Sequence, residues 1–131
     1  MSAIQTVAQA KEAFPQLRWR DANPPEGGEV SFAICGGDKE TGDITIFLVM
    51  GDGAKAPLHR HRERGGWPFR ETITCFAGEM HGTNPHDDQF VLKAGQSMDL
   101  TDDTPHRPHV LPGGFALVVY RQPAGSDVVA T

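Results

Sequence analysis

Residues 53–78 read GAKAPLHRHRERGGWPFRETITCFAG, and residues 95–106 read GQSMDLTDDTPH. These two stretches decide the fold and the chemistry, because each holds metal-ligand residue types at fixed distances from glycines. All six histidines of the chain lie between His59 and His109. His59 and His61 stand at i and i+2, which on a β-strand puts both side chains on the same face. A His-x-His pair is common by chance. The prediction of a metal site therefore depends on the order of this pair and the carboxylate and histidine that follow it.

Glu71 begins a strand-like run in which Ile73 and Cys75 share its face. On a closed barrel the inward faces of neighbouring strands meet. Two imidazoles, a carboxylate and a third imidazole inside such a barrel form a natural site for a first-row divalent metal.

Two positions have competitors. Glu63 is a rival carboxylate that follows His61 closely, and the residue types alone do not decide between Glu63 and Glu71. His109 competes with His106, and residues three apart on a strand face opposite sides, so only one can enter the barrel. His81 and His86 lie in the turn-rich segment HGTNPHDD and are predicted to be solvated loop residues.

The composition favours short strands over long helices. The chain has 131 residues with 15 Gly and 10 Pro, which suits one domain rich in turns. The predicted strands are Val30–Cys35, Ile44–Met50, Thr72–Phe76, Gln89–Lys93, Ser97–Leu100, Arg107–Leu111 and Phe115–Tyr120, with a further edge strand at Leu17–Arg20. A helix is predicted only over residues 3–14, where apolar residues recur at helical spacing before Pro15. Cys35 and Cys75 are predicted to be small buried hydrophobes.

The order and spacing of these residues resemble the two-part metal-binding signature of the cupin superfamily. The resemblance covers Gly53 to Val110 directly. It implies an all-β fold, a double-stranded β-helix or jelly-roll-like barrel with a short N-terminal helix. Residues 1–131 would form a single cupin domain, with residues 1–28 as N-terminal helix and extension and residues 29–123 as the barrel.

The same resemblance makes His59, His61, Glu71 and His106 the ligands of one divalent metal, with Glu71 also the catalytic carboxylate. The sequence departs from the family pattern in three ways. The stretch between His61 and Glu71 is longer than in the family, Thr101 and Asp103 replace the proline and glycine of the second motif, and Val110 replaces its closing asparagine. An Asp-containing turn tolerates the required backbone conformation.

The long insertion before Glu71 offers a substrate-binding surface. Arg64, Trp67, Phe69 and Arg70 combine two aromatic rings with two guanidinium groups, which could cover an anionic or carbonyl-bearing substrate. The alternative is that the rings are buried against a partner subunit or the barrel rim, and the sequence favours neither.

The overall pattern is similar to small cupins related to diketone-cleaving dioxygenases and to the cupin domain of ChrR-type anti-sigma factors. This implies a metal-dependent dioxygenase acting on a diketone, hydroxy-carbonyl or dihydroxy-aromatic compound, with Fe(II) as the expected metal and Zn, Mn or Ni as alternatives. A non-catalytic binding or sensing protein, or an isomerase or lyase, would use the same barrel.

Charge and hydropathy limit the remaining partners. A net charge of −5 and a pI near 5.6 argue against nucleic acid. No apolar run approaches the roughly 18 residues of a membrane span, and the N-terminus lacks a secretory pattern, so a cytoplasmic location is expected. The family resemblance, with apolar Trp19 and Phe32, implies a homodimer.

Overall fold

Antiparallel strands account for nearly all the regular structure of this chain. The computed structural model describes residues 4–22, 28–37, 43–55, 59–61, 71–83, 89–100, 107–123 and 128–130. In these ranges lie one helix, α1 (Val7–Ala13), and the strands β1 (Arg20–Asp21), β2 (Glu29–Gly37), β3 (Asp43–Gly51), β4 (His59–His61), β5 (Glu71–Thr83), β6 (Gln89–Lys93), β7 (Ser97–Leu100), β8 (Arg107–His109), β9 (Phe115–Pro123) and β10 (Val128–Ala130). The prediction of an all-β fold with a short N-terminal helix is confirmed.

The strands form one large sheet and one small one. The large sheet has eight strands: six follow the order β1-β2-β3-β9-β5-β6, and β7 and β8 are also paired to β5. The small sheet contains β4 and β10. The predicted strand from Thr72 to Phe76 is the first half of β5, which continues to Thr83 and is longer than the sequence suggested.

Strand β5 changes partners at a bulge in its middle. Residues up to Gly78 pair with β9, and Glu71 to Thr74 also pair with β7. Beyond Gly78, Glu79 to Thr83 pair with β6, and His81 to Thr83 also pair with β8. The register shifts between Cys75 and Ala77, and Gly78 follows with a φ of 77°. A side chain at Gly78 would collide with the carbonyl group of Phe115. Glycine is therefore required where β5 turns from one set of neighbours to the next.

The inward faces of the strands enclose an apolar core. Alternate residues of β2, β3, β5, β6 and β9 meet there, as the two-residue period of a strand requires. Its buried members are Val30, Met50, Ala54, Ile73, Cys75, Met80, Leu92, Val110, Ala116 and Val118. Burying each large side chain among them stabilises the fold by about 1.5–3 kcal/mol. The predicted burial of Cys75 is confirmed, whereas Cys35 is only half-buried.

The helix packs on the outside of the large sheet. Val7 and Ala10 of α1 are buried against Val49 of β3 and Leu117 of β9 in a second apolar cluster. This helix is the only one among the described residues and is seven residues long. No helix in the described ranges is long and apolar enough to cross a membrane.

The helix begins later than the predicted range of residues 3–14. Thr6 is its N-cap, because the Thr6 hydroxyl accepts a hydrogen bond from the backbone N–H of Gln9 at 3.1 Å. At the other end, the backbone N–H of Phe14 donates to the carbonyl of Ala10 at 3.2 Å. The apolar periodicity continued across the cap, which is why the sequence placed the start too early.

Candidate metal centre

Glu71 is the only predicted metal ligand whose side chain the structure describes. It is the first residue of β5, where its backbone is in register with Leu100 of β7, and its exposed fraction is 1%. It shares the inward face of β5 with Ile73 and Cys75, as predicted. Burial raises the pKa of the Glu71 carboxyl to about 8. A carboxylate in such surroundings is strongly stabilised by a cation placed beside it.

Tyr120 is a second polar group inside the barrel, and sequence reasoning missed it. It lies on β9 in register with Ile73, and its ring packs against the inner core. Its hydroxyl donates a hydrogen bond to the sulfur of Met80 at 3.5 Å. Burial, followed by the negative charge of Glu71, raises the pKa of the Tyr120 hydroxyl. Strand alternation from Ala116 and Val118 would have indicated its inward position.

The histidine pair lies on a short strand that was not among the predicted strands. His59, Arg60 and His61 form β4, which pairs in antiparallel register with β10, so that Ala130 lies opposite His59 and Val128 opposite His61. Among the described strands, β10 is the only partner of β4. The imidazole side chains of these histidines lie outside the described part of the structure.

The three glycines that define the two sequence motifs all adopt left-handed backbone conformations. Their φ angles are 73° at Gly53, 77° at Gly78 and 89° at Gly95. Around Gly95 the chain is tied to the bulge of β5, because the Gly95 N–H donates to the carbonyl of Cys75 at 2.8 Å and the Cys75 N–H donates to Gln96 at 2.9 Å. The turn that opens the second motif is thus hydrogen-bonded to the strand that begins at Glu71.

His109 faces away from the barrel interior, as predicted. Its neighbours Pro108 and Val110 are buried, and Val110 belongs to the inner core. Across the β5–β8 pair His109 is in register with His81, and the two ring centroids lie 5.6 Å apart. His109 therefore lies on the outer face of the barrel wall, where it is half-buried.

The predicted loop position of His81 is wrong. His81 lies in the second half of β5, and only 18% of its side chain is exposed. Its Nε2 atom lies 3.2 Å from Oε1 of Glu79 on the same outer face. The bulge and Gly78 let β5 continue past the point where the sequence suggested a turn.

The other predicted site residues lie outside the described residues. These are the ligand His106, the rival carboxylate Glu63, the loop residue His86 and the proposed substrate-binding residues Arg64, Trp67, Phe69 and Arg70. Within the described part of the chain, no three His, Cys, Asp or Glu side chains converge on a point that could hold a metal ion. The four-ligand site and the substrate surface therefore stay predictions.

A cleft of about 210 Å³ lies on the outside of the barrel, between the start of α1 and the turns at Gly51 and Gly113. Glu29 and Asp52 supply its carboxylates. Glu71 and Tyr120 do not line it, so this cleft is separate from the interior where the predicted ligand lies.

Solved structures share this architecture at low sequence identity. A cupin-2 domain protein from Rhodospirillum rubrum aligns with a TM-score of 0.75 at 10% identity, covering 100% of this chain and 83% of the other. A polyketide cyclase from Streptomyces resistomycificus aligns with a TM-score of 0.70 at 15% identity, covering 89% and 81%. A structure described as a DMSP lyase aligns with a TM-score of 0.71 at 13% identity, covering 98% and 72%. No protein-family model and no curated protein matches the sequence.

Proposed function

Starting from the cupin fold of this chain, we propose that the protein holds one divalent transition metal inside the barrel and acts as a metal-dependent dioxygenase. Its substrate is a small oxygenated compound such as a diketone, a hydroxy-carbonyl or a dihydroxy-aromatic. The observation that carries the proposal is Glu71, a carboxyl group with an exposed fraction of 1% inside an otherwise largely apolar barrel.

The residues fit such a metal. A fully buried carboxyl group is expensive to ionise, and a cation beside it removes that cost. The proposed ligands are His59, His61, Glu71 and His106. Three imidazoles with one carboxylate suit Fe(II), and they also suit Zn, Mn or Ni. When bound, Fe(II) supplies Lewis-acid and one-electron redox chemistry.

The protein would contribute geometry and a dry cavity. Met50, Met80 and Val118 are fully buried around the interior and keep bulk water from it. The carboxylate of Glu71 would bind the metal, and the low dielectric of the interior would strengthen the attraction between the two charges. The guanidinium groups of Arg64 and Arg70, with the rings of Trp67 and Phe69, would bind an anionic or carbonyl-bearing substrate at the mouth of the barrel.

The test begins with the metal content of the purified protein by elemental analysis. Oxygen consumption is then measured for the iron-loaded protein with a panel of β-diketones and dihydroxy-aromatic compounds. Uptake of O2 with at least one compound, together with cleaved product, supports the dioxygenase. If the purified protein contains no metal and none of the first-row divalent ions can be loaded into it, the proposal as a whole is contradicted.

Strand β5 offers a matched pair of variants for this experiment. Glu71→Gln changes the buried carboxyl group, whereas Glu79→Gln changes a carboxyl group on the outer face of the same strand that is 46% exposed. We expect reduced metal content and activity in Glu71→Gln, because an amide oxygen brings no charge, and neither effect in Glu79→Gln. Product formation without O2 uptake would indicate a lyase or isomerase, and metal binding without turnover would indicate a binding or sensing protein.

A further inference from the structure

We infer that Tyr120 is a substrate-binding residue, whose hydroxyl donates a hydrogen bond to an oxygen of an enolate or hydroxy-carbonyl ligand held beside Glu71. This inference rests on the proposed function and deepens it. It assigns to the barrel interior a specific hydrogen-bond donor that the sequence motif does not contain.

The first support is the position of Tyr120 relative to Glu71. Tyr120 is in register with Ile73 across the β5–β9 pair, and Glu71 lies two residues from Ile73 on the same inward face. Diagonal neighbours of this kind in an antiparallel pair lie about 7–8 Å apart, within reach of long or aromatic side chains. A ligand that contacts a metal at Glu71 would therefore lie within reach of the Tyr120 side chain.

The second support is the weak partner that the hydroxyl has at present. Tyr120 donates to the thioether sulfur of Met80 at 3.5 Å. A thioether is a weak acceptor, whereas a buried tyrosine hydroxyl ordinarily pairs with oxygen or nitrogen. Little free energy is lost when this donor turns from sulfur to a substrate oxygen. An anionic oxygen would gain most, because hydrogen bonds to charged groups are the stronger ones.

The third support is the surroundings of the ring. The Tyr120 ring packs against the inner core, whose buried members are apolar side chains. A fixed donor in such a place selects for ligands with an oxygen at the matching position, because an unmatched polar group in an apolar interior is costly. We therefore expect Tyr120 to discriminate between compounds by their oxygen pattern and to have little effect on metal uptake.

The experiment compares two variants with different expected effects on ligand binding. Tyr120→Phe removes the donor and keeps the ring, and Met80→Leu removes the competing acceptor at similar volume. Each protein is loaded with Zn, which prevents turnover, its metal content is measured, and acetylacetone binding is followed by calorimetry. We expect unchanged metal content in both variants. Tyr120→Phe should bind acetylacetone about 10- to 100-fold more weakly, and Met80→Leu as tightly as the wild type or more so.

Three results would overturn the inference, and they can be told apart. If Tyr120→Phe binds acetylacetone within about twofold of the wild type, Tyr120 does not contact the ligand and the proposed function is untouched. If zinc-loaded wild-type protein has no affinity for acetylacetone, the assigned ligand class is wrong. If the wild type takes up no metal, the proposed function fails and the inference fails with it.

Discussion

The ring of His81 lies over the ring of His109, with centroids 5.6 Å apart and the ring planes inclined at 33°. The two residues are directly opposite each other on β5 and β8, on the face that points away from the inner core. Glu79 interacts with His81 on that face. Two of the six histidines are therefore engaged on the outer wall of the barrel. They provide internal controls for any experiment on the proposed metal ligands.

The sharpest control is the comparison of His106→Ala with His109→Ala. Loss of a residue that only supports a metal ligand lowers metal affinity roughly 10–100-fold. We expect His106→Ala, which removes a ligand itself, to lower the affinity at least as much. His109→Ala should keep its metal, because the buried Pro108 and Val110 leave His109 on the outer face. Metal content after identical purification is the measurement. Equal losses in both variants would show that the second motif has been aligned wrongly.

The stability of the metal-free protein should depend on pH through Glu71. Burial raises the pKa of this carboxyl group from 4.5 to about 8, so the folded state holds the proton more tightly than the unfolded state. The contribution of Glu71 to the free energy of unfolding is therefore greatest below about pH 4.5, and it is lost as the pH rises toward 8. The slope is at most about 1.4 kcal/mol per pH unit, the limit for one proton.

Urea unfolding of chelator-treated protein between pH 5 and 8 measures this dependence. Glu71→Gln should remove most of it, because an amide does not titrate in this range. Glu79→Gln serves as the comparison, since Glu79 is exposed on the same strand. Parallel pH profiles for the wild type and Glu71→Gln would rule out Glu71 as the source.

Deletion of residues 124–131 should weaken metal binding. In the described part of the chain, β4 is paired with β10 alone, so the deletion removes the neighbour of the strand that carries His59 and His61. Among the described residues, the eight-stranded sheet contains no residue of β10. We therefore expect a folded protein, checked by circular dichroism, with metal affinity reduced about tenfold or more. Unchanged affinity would mean that β4 is positioned without β10.

We expect the protein to be a homodimer, and the exposure of its apolar residues indicates which variants test this. Trp19 is partly buried and its indole N–H donates to the carbonyl of Phe14 at 3.1 Å, so much of its surface is used within the chain. Ile34 is 57% exposed and lies on the same face of β2 as Phe32. Sedimentation should give a dimer, and Ile34→Asp should shift it toward monomer, whereas Leu111→Asp should not. A wild-type monomer at high protein concentration would contradict the prediction.

The sequence predicted most strands because turn residues mark their ends. Gly53, Gly78 and Gly95 each have a left-handed conformation, and the spacing argument was built on them. The same reasoning failed for the second half of β5. There the strand passes a bulge and Gly78 and continues, pairing with β6, the next strand, and with β8, which is more distant in the sequence. The pairing with β8 is not encoded in any local pattern.

The site was only partly predictable for a related reason. Alternation along a strand correctly gave the faces of Glu71 and His109. Alternation would also have placed Tyr120 on the inward face. An aromatic residue at the end of an apolar run is, however, typical of the hydrophobic core and does not by itself indicate a functional site. Strand β10 was missed because Val128–Ala130 is too short to produce a period, and its pairing with β4 depends on residues distant in the sequence.

The pairing of β10 with β4 also has a consequence for how the protein is made. The ribosome adds Val128, Val129 and Ala130 long after His59 and His61 have emerged, yet these residues lie side by side in the fold. A contact between segments so distant in sequence forms slowly, because loop closure must precede it. A nascent chain can therefore assemble the strands around Glu71 before its histidine strand has a neighbour. We expect β4 and β10 to pair only after the strands around Glu71 have formed, so that the histidine strand gains its neighbour late in folding.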